Sequence, residues 1–211
     1  NPDLKPETSK GWDAGIEFTF LKGRAVLDVT YFDTDLRDKI STQFIACGSG
    51  WCAHPINLAG VSRRQGIEVD ASYQLLPNLI VGLAYTYLDA VDSTGTSELR
   101  RPPHAARGDV TYSFHDGRGT VSLTAIYNGE MDDFVFSWLS SGRVTLDDYW
   151  LVTAAASYKL NPGLEVYGRV ENLFDQDYEE IFGYETAGIA GYVGLRWTFD
   201  YERLNGGPTP R

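Results

Sequence analysis

Three histidines, two cysteines, many serines and charges at alternating positions are the residues of this 211-residue chain with chemistry to offer. His54, His104 and His115 could bind a metal or move protons near neutral pH. They fall in three separate connections. His54 and His104 lie toward one end of the expected sheet and His115 toward the other, so a shared three-histidine site is not expected. Cys47 and Cys52 share one connection, and their spacing suits a small disulfide ring in an oxidising compartment. The rival use is a pair of metal-ligating thiolates. A closed zinc site normally takes four ligands, and the chain has no other cysteine. An outer-membrane lipase or protease would need a nucleophile and base within hydrogen-bond reach, yet no nucleophile elbow or histidine-centred pattern stands out. No enzyme activity, cofactor or resident metal is expected.

Binding chemistry is better represented. Met131, Asp132, Asp133, Phe134, Phe136 and Trp138 form one acidic-aromatic connection, and Tyr178, Phe182 and Tyr184 belong to another. Rings of this kind can cover the apolar parts of a large ligand while hydrogen bonds orient it. Asp132, Asp133, Phe134, Trp138, Tyr178 and Tyr184 are therefore the candidate ligand contacts. The bland alternative is that these rings pack on one another or meet lipopolysaccharide.

About nine stretches of alternating polarity must position these residues. Trp12 to Phe20 is apolar at every even position. In Leu164 to Asn172, Leu164, Val166, Gly168 and Val170 oppose Glu165, Tyr167, Arg169 and Glu171, as on the two faces of a strand. The connections alternate in length. Leu21 to Arg24, Leu76 to Asn78, His115 to Arg118 and Asn161 to Gly163 are short. Ala46 to Val61, Asp89 to Ala105, Gly129 to Val144 and Asp175 to Gly188 are long. A soluble sandwich binding a ligand or partner is the competing architecture, but it has little reason to gather its long loops at one end. An outer-membrane barrel does.

On that reading Trp12, Tyr31, Tyr85, Tyr87, Tyr127 and Trp150 form one aromatic belt, and Tyr73, Tyr112, Phe114, Tyr158, Trp197 and Phe199 form the other. Asp28, Glu68, Asp70, Asp109, Glu165, Arg169, Glu171 and Arg196 face the lumen, where they either contact a filling domain or simply keep a channel wall wet. No run approaches the roughly 18 apolar residues of a membrane helix. The net charge of −11 argues against nucleic-acid binding. An odd strand count leaves the two ends on opposite rims, so the expected fold is an all-β, antiparallel transmembrane segment forming part of a larger barrel.

Several segments carry a family resemblance. Asn1-Pro2-Asp3-Leu4-Lys5-Pro6-Glu7 followed by Gly11-Trp12, then Gly66-Ile67-Glu68, and then Val170 to Tyr178 with its Asn172-Leu173-Phe174-Asp175 core, resemble signatures of TonB-dependent outer-membrane receptors. Tyr192 to Phe199 is similar to the family's closing strand, with Gly194, Trp197 and Phe199 in the places of the barrel-assembly signal. Within the family, Leu99-Arg100-Arg101-Pro102 and Phe182 to Gly188 most resemble the cobalamin receptor group.

The resemblance implies a 22-stranded barrel in the bacterial outer membrane, filled by a plug and importing a scarce metal chelate with energy relayed by TonB. Residues 1–199 would be its C-terminal part, with Asn1 to Glu7 in an extracellular loop. The plug, the remaining strands and the TonB-contacting segment would belong to the rest of the receptor. Its other partners would be outer-membrane lipid, lipopolysaccharide and cargo. Residues 200–211 extend past the family's terminal aromatic and read as a disordered tail. Acidic loops suit an anionic ferric siderophore poorly, so the expected cargo is cobalamin or a related corrinoid, with a siderophore second.

Overall fold

In the computed structural model, residues 1–136 and 141–199 are described. Thirteen strands occur among them: β1 (Thr8–Phe20), β2 (Ala25–Arg37), β3 (Ile40–Cys47), β4 (Gly50–Asn57), β5 (Val61–Leu76), β6 (Leu79–Val91), β7 (His104–Phe114), β8 (Gly119–Asn128), β9 (Met131–Phe136), β10 (Ser141–Leu146), β11 (Tyr149–Asn161), β12 (Leu164–Glu171) and β13 (Ala190–Trp197). Nine of them form one antiparallel sheet in the order β1-β2-β5-β6-β7-β8-β11-β12-β13. The other four make two hairpins, β3-β4 and β9-β10, which rise from long connections.

The register keeps one apolar face unbroken across the sheet. Ile16 pairs with Val29, Val29 with Val69 and Val69 with Tyr85. Further along, Leu123 pairs with Ala154, Ala154 with Val170 and Val166 with Leu195. Because partners across a ladder share a face, a one-residue slip anywhere would carry charges onto this surface. Its side chains remain uncovered by protein: Ile16 is 54% exposed, Leu83 52% and Leu195 69%. In water so large a patch would drive association, whereas hydrocarbon satisfies it. A 13-residue strand such as β6 is about 40 Å long and, tilted by about 45°, spans the roughly 30 Å of a bilayer core.

Both aromatic belts border this face. Trp12 meets Tyr31 at 5.3 Å between ring centroids and Tyr127 meets Trp150 at 4.8 Å near the long-loop rim. Near the short-turn rim, Phe114 meets Tyr158 at 6.1 Å and Trp197 meets Phe199 at 4.7 Å.

The opposite face carries the charges. Glu17, Asp28 and Asp70 stand directly opposite one another across three strands. No lysine or arginine pairs with any of them among the described residues, and nearby Arg107 is engaged with Asp109 at 3.7 Å. At β12-β13 the charges are matched instead, Arg196 with Glu165 at 2.6 Å and Arg169 with Glu171 at 2.9 Å.

Two of the short turns repeat one construction. Leu21-Lys22-Gly23-Arg24 and His115-Asp116-Gly117-Arg118 each hold three successive residues at positive φ, ending in glycine at 83° and 80°. A glycine tolerates that conformation without a Cβ clash. The arginine that follows then reaches the next hairpin. Arg24 donates to the Gln74 and Leu75 carbonyls at 2.8 and 2.7 Å and lies over the Tyr73 ring. Arg118 donates to the Lys159 and Leu160 carbonyls, both at 3.1 Å, and lies over Tyr158. Those carbonyls sit where the register slips, between Gln74 and Leu76 and between Lys159 and Asn161. The guanidinium satisfies acceptors that the irregular ladder leaves over.

Two stretches differ from the sequence reading. The long connection was expected to begin at Ala46; instead β2 ends at Arg37 and Asp38, at φ 55°, starts a separate hairpin of β3 and β4. The connection from Gly129 to Val144 likewise contains β9 and β10.

Candidate functional site

The long-loop rim is held by carboxylates bonded across loops. Glu98, in the β6-β7 connection, is 7% exposed and receives Lys39 Nζ at 2.6 Å and Arg64 at 2.8 Å, with Arg101 4.0 Å away. Burial raises its pKa, but the Arg64 and Lys39 hydrogen bonds outweigh that and leave it below the usual carboxylate range. One side chain thus joins the β2-β3 corner, β5 and the β6-β7 loop. In the same loop the Asp92 carboxylate accepts the Thr94 and Thr96 N–H groups at 2.8 and 3.0 Å, closing a tight Asx turn.

Asp133 is fully buried in the β9-β10 hairpin. Arg100 Nε donates to its Oδ1 at 2.8 Å and the Phe182 N–H donates to its Oδ2 at 2.8 Å. Burial pushes this carboxyl up, yet the Phe182 N–H and the Arg100 guanidinium hold it below its ordinary value. Arg100 also donates its backbone N–H to the Asp132 carbonyl at 2.7 Å while standing at φ 56°. That backbone conformation costs a non-glycine residue about 1 kcal/mol. Arg143, on β10, donates to Asp132 Oδ2 at 2.9 Å and to the Ser97 carbonyl. The β6-β7 loop, the β9-β10 hairpin and the last loop therefore meet on two adjacent aspartates.

The last loop has its own clasp. Asn172, 6% exposed and at φ 47°, accepts the Gln176 N–H at 2.8 Å and donates to the Gln176 and Ala187 carbonyls at 2.9 and 3.3 Å. Asp175 accepts the Ile189 N–H at 2.8 Å. The Asn172-to-Asp175 signature is thus a loop fastener.

Two hollows open between these loops and share Phe182. One, of about 490 Å³, is lined by Arg100, Phe134, Val135, Ile181, Phe182, Gly183 and Tyr184. The other, of about 710 Å³, is walled by Asp147, Asp148, Asp177, Glu179 and Glu185, with Tyr178 beside them. A more apolar hollow among Phe20, Leu27, Tyr73, Val81 and Leu83 lies on the bilayer face, where lipid would fill it.

The candidate contacts separate accordingly. Phe134 and Tyr184 line the smaller hollow, with Tyr184 69% exposed. Tyr178 lines the acidic one and packs on Tyr149 at 4.5 Å. Asp132 is paired with Arg143, and Asp133 is buried with both oxygens occupied. Trp138 lies outside the described residues. Arg100 entered the sequence reading only as part of Leu99 to Pro102, and no spacing rule tied it to Asp133, 33 residues away.

The histidines stay apart: His104 bonds Tyr85 at 2.8 Å near the long-loop rim, and His115 bonds Tyr158 at 3.2 Å in a short turn. Cys47 and Cys52 are joined in a disulfide across the β3-β4 hairpin, with their Cα atoms 5.7 Å apart. Gly194 lies under Tyr167, whose ring would stand 2.5 Å from a Cβ at that position. Trp197 and Phe199 stack on each other and are exposed at the apolar face.

The profile of the TonB-dependent receptor-like β-barrel matches residues 1–173. The chain belongs to this family.

TonB-dependent receptors of this kind are outer-membrane β-barrels, and the open nine-stranded sheet is a portion of such a barrel in that membrane. Solved receptors share the fold. The pyoverdine outer-membrane receptor FpvA from Pseudomonas aeruginosa superposes with a TM-score of 0.75 at 21% identity, over 93% of this chain and 30% of that one. The ferric enterobactin receptor PfeA, also from Pseudomonas aeruginosa, gives 0.75 at 21% identity, over 94% and 32%. The copper transporter OprC gives 0.75 at 18% identity, over 94% and 32%. The chain spans about a third or less of each of these receptors.

Proposed function

We propose that this chain supplies the last nine strands and the associated long loops of a 22-stranded, plug-filled receptor that imports a metal chelate of the ferric-siderophore class. The plug, the remaining strands and TonB are its partners, and transport requires them. No bond chemistry is assigned to this chain.

The observation carrying the cargo class is the pairing of the loop acids. A corrinoid was expected from the likeness of Leu99 to Pro102 and Phe182 to Gly188 to cobalamin receptors, and the acidic loop with Asp132 and Asp133 mildly favoured a neutral cargo. Both are taken up by arginines. The acids of this cluster, Glu98, Asp132 and Asp133, are each bonded to a cation, whereas Asp147, Asp148, Asp177, Glu179 and Glu185 wall the adjoining hollow. The electrostatic objection to an anionic chelate is therefore weakened beside Arg100 and persists at the acidic hollow. The pyoverdine and enterobactin receptors with the same fold lend the siderophore class further support. The two segments behind the corrinoid expectation, Leu99 to Pro102 and Phe182 to Gly188, meet each other through Asp133.

The test is competitive binding to the full-length receptor, plug included, with cyanocobalamin against a panel of ferric siderophores. Saturable siderophore binding that cyanocobalamin does not displace is expected. Saturable cyanocobalamin binding with no siderophore bound would sink the proposal.

A further inference from the structure

We infer that the hollow around Arg100 is the subsite for an anionic, aromatic metal-binding arm of the cargo, with Arg100 as its direct contact and Asp133 as the residue that positions Arg100. The inference rests on the receptor reading above and deepens it.

Three observations converge on Arg100. First, its guanidinium is oriented from one side only. Asp133 takes Nε, whereas no group among the described residues accepts a hydrogen bond from either terminal nitrogen, and the side chain is 44% exposed. A guanidinium held at Nε presents its remaining N–H groups in a fixed plane, which suits a bidentate anion. Second, the carboxylate that aligns it is itself fully buried and anchored by the Phe182 N–H, so the support does not swing with solvent. Third, Arg100 occupies a left-handed backbone position that favours glycine, and it is fastened there by its N–H to the Asp132 carbonyl. Strain retained at a side chain with unused donors is a mark of a functional position.

The surroundings specify the ligand. Phe134, Phe182 and Tyr184 line the same hollow of about 490 Å³, a volume suited to one ring-bearing arm of a chelate. Ring walls with one oriented cation select a flat group carrying negative oxygen atoms, as in a catecholate. An iron-bound hydroxamate arm is a monoanion where a catecholate is a dianion, so it presents less charge to Arg100.

The experiment uses the full-length receptor in detergent, with tryptophan fluorescence quenching as readout. Its probes are an anionic ferric tris-catecholate and a neutral ferric trihydroxamate. Arg100→Ala is expected to weaken tris-catecholate binding about 10- to 100-fold, consistent with loss of a charge-assisted bidentate contact. It should also flatten the salt dependence of that binding and leave any trihydroxamate affinity within about twofold. Arg100→Lys keeps the charge without the planar fork and should fall between the two; it also serves if the alanine variant fails to assemble. Asp133→Asn should weaken tris-catecholate binding, and adding Arg100→Ala should give little further loss, because the two act as one unit.

Equal loss for both probes would overturn the inference, since that is how a general loop collapse reads. Wild-type binding of trihydroxamate alone would overturn it too, while leaving the receptor function standing. Binding of neither ferric chelate would remove both proposals.

Discussion

The two rims of this sheet use the same residue type for opposite purposes. At the short-turn rim, Arg24 and Arg118 are spent on backbone carbonyls of the neighbouring hairpin, in two turns built almost alike. At the long-loop rim, Arg64 and Arg100 are spent on carboxylates of other segments, and Arg143 reaches the Ser97 carbonyl of the β6-β7 loop besides Asp132 on its own hairpin. The first arrangement repairs a local irregularity, where a slipped register leaves acceptors over. The second fastens segments that no ladder joins. One rim therefore tolerates change in units of a single turn, whereas the other behaves as a connected network.

The largest break in that contrast should come from Asp133→Ala. It leaves the Phe182 N–H without its acceptor and Arg100 without its anchor, a cost of about 2–3 kcal/mol, felt in three loops at once. Limited proteolysis of the full receptor should show new cleavage in residues 92–103 and 173–189, with the barrel itself intact. Unchanged protection there would mean that Asp133 does not couple the loops.

Acid should produce a milder version. Asp133 and Glu98 both have folded pKa values lowered from normal. Their stabilisation is complete above the unfolded value near 4 and is lost as pH falls through the lower folded value. Loop protection measured by hydrogen exchange should therefore hold from neutral pH to about 5 and decline below about 4, whereas the short turns should not respond in that window.

Arg24→Ala and Arg118→Ala should each cost about 1 kcal/mol. Their effects should add, since the turns share no partner, and cargo binding should be unchanged. Thermal unfolding in detergent checks this, and strong non-additivity would show that the short-turn rim is a network after all. The smallest effect is expected for Arg143→Ala. Its carboxylate pair is partly exposed, so the loss should be under about 1 kcal/mol, visible as faster exchange in β9-β10 and around Ser97, whose carbonyl Arg143 also holds.

How much of this was legible beforehand follows from the range of each interaction. Period-two patterning marked about nine strands, the number in the main sheet, and separated the two faces of stretches such as Leu164 to Asn172, because the signal lies within ten or so consecutive residues. It placed the end of the second strand too late, at Ala46, because a single residue turning left-handed at Asp38 leaves no mark on the alternation. Asp133 looked like a cargo contact because an acid beside aromatics is all that sequence displays. Its burial depends on Arg100 and Phe182, 33 and 49 residues away. Asn172 stood out as a signature residue without a reason; the reason is a carbonyl at Ala187 that only the folded loop brings near.

Glu17, Asp28 and Asp70 face one another across three strands, and no lysine or arginine pairs with them among the described residues. Like charges placed directly opposite one another repel, so this stretch of wall carries a negative potential that its own strands do not quench. A surface packed against it gains most by bringing positive charge to that row.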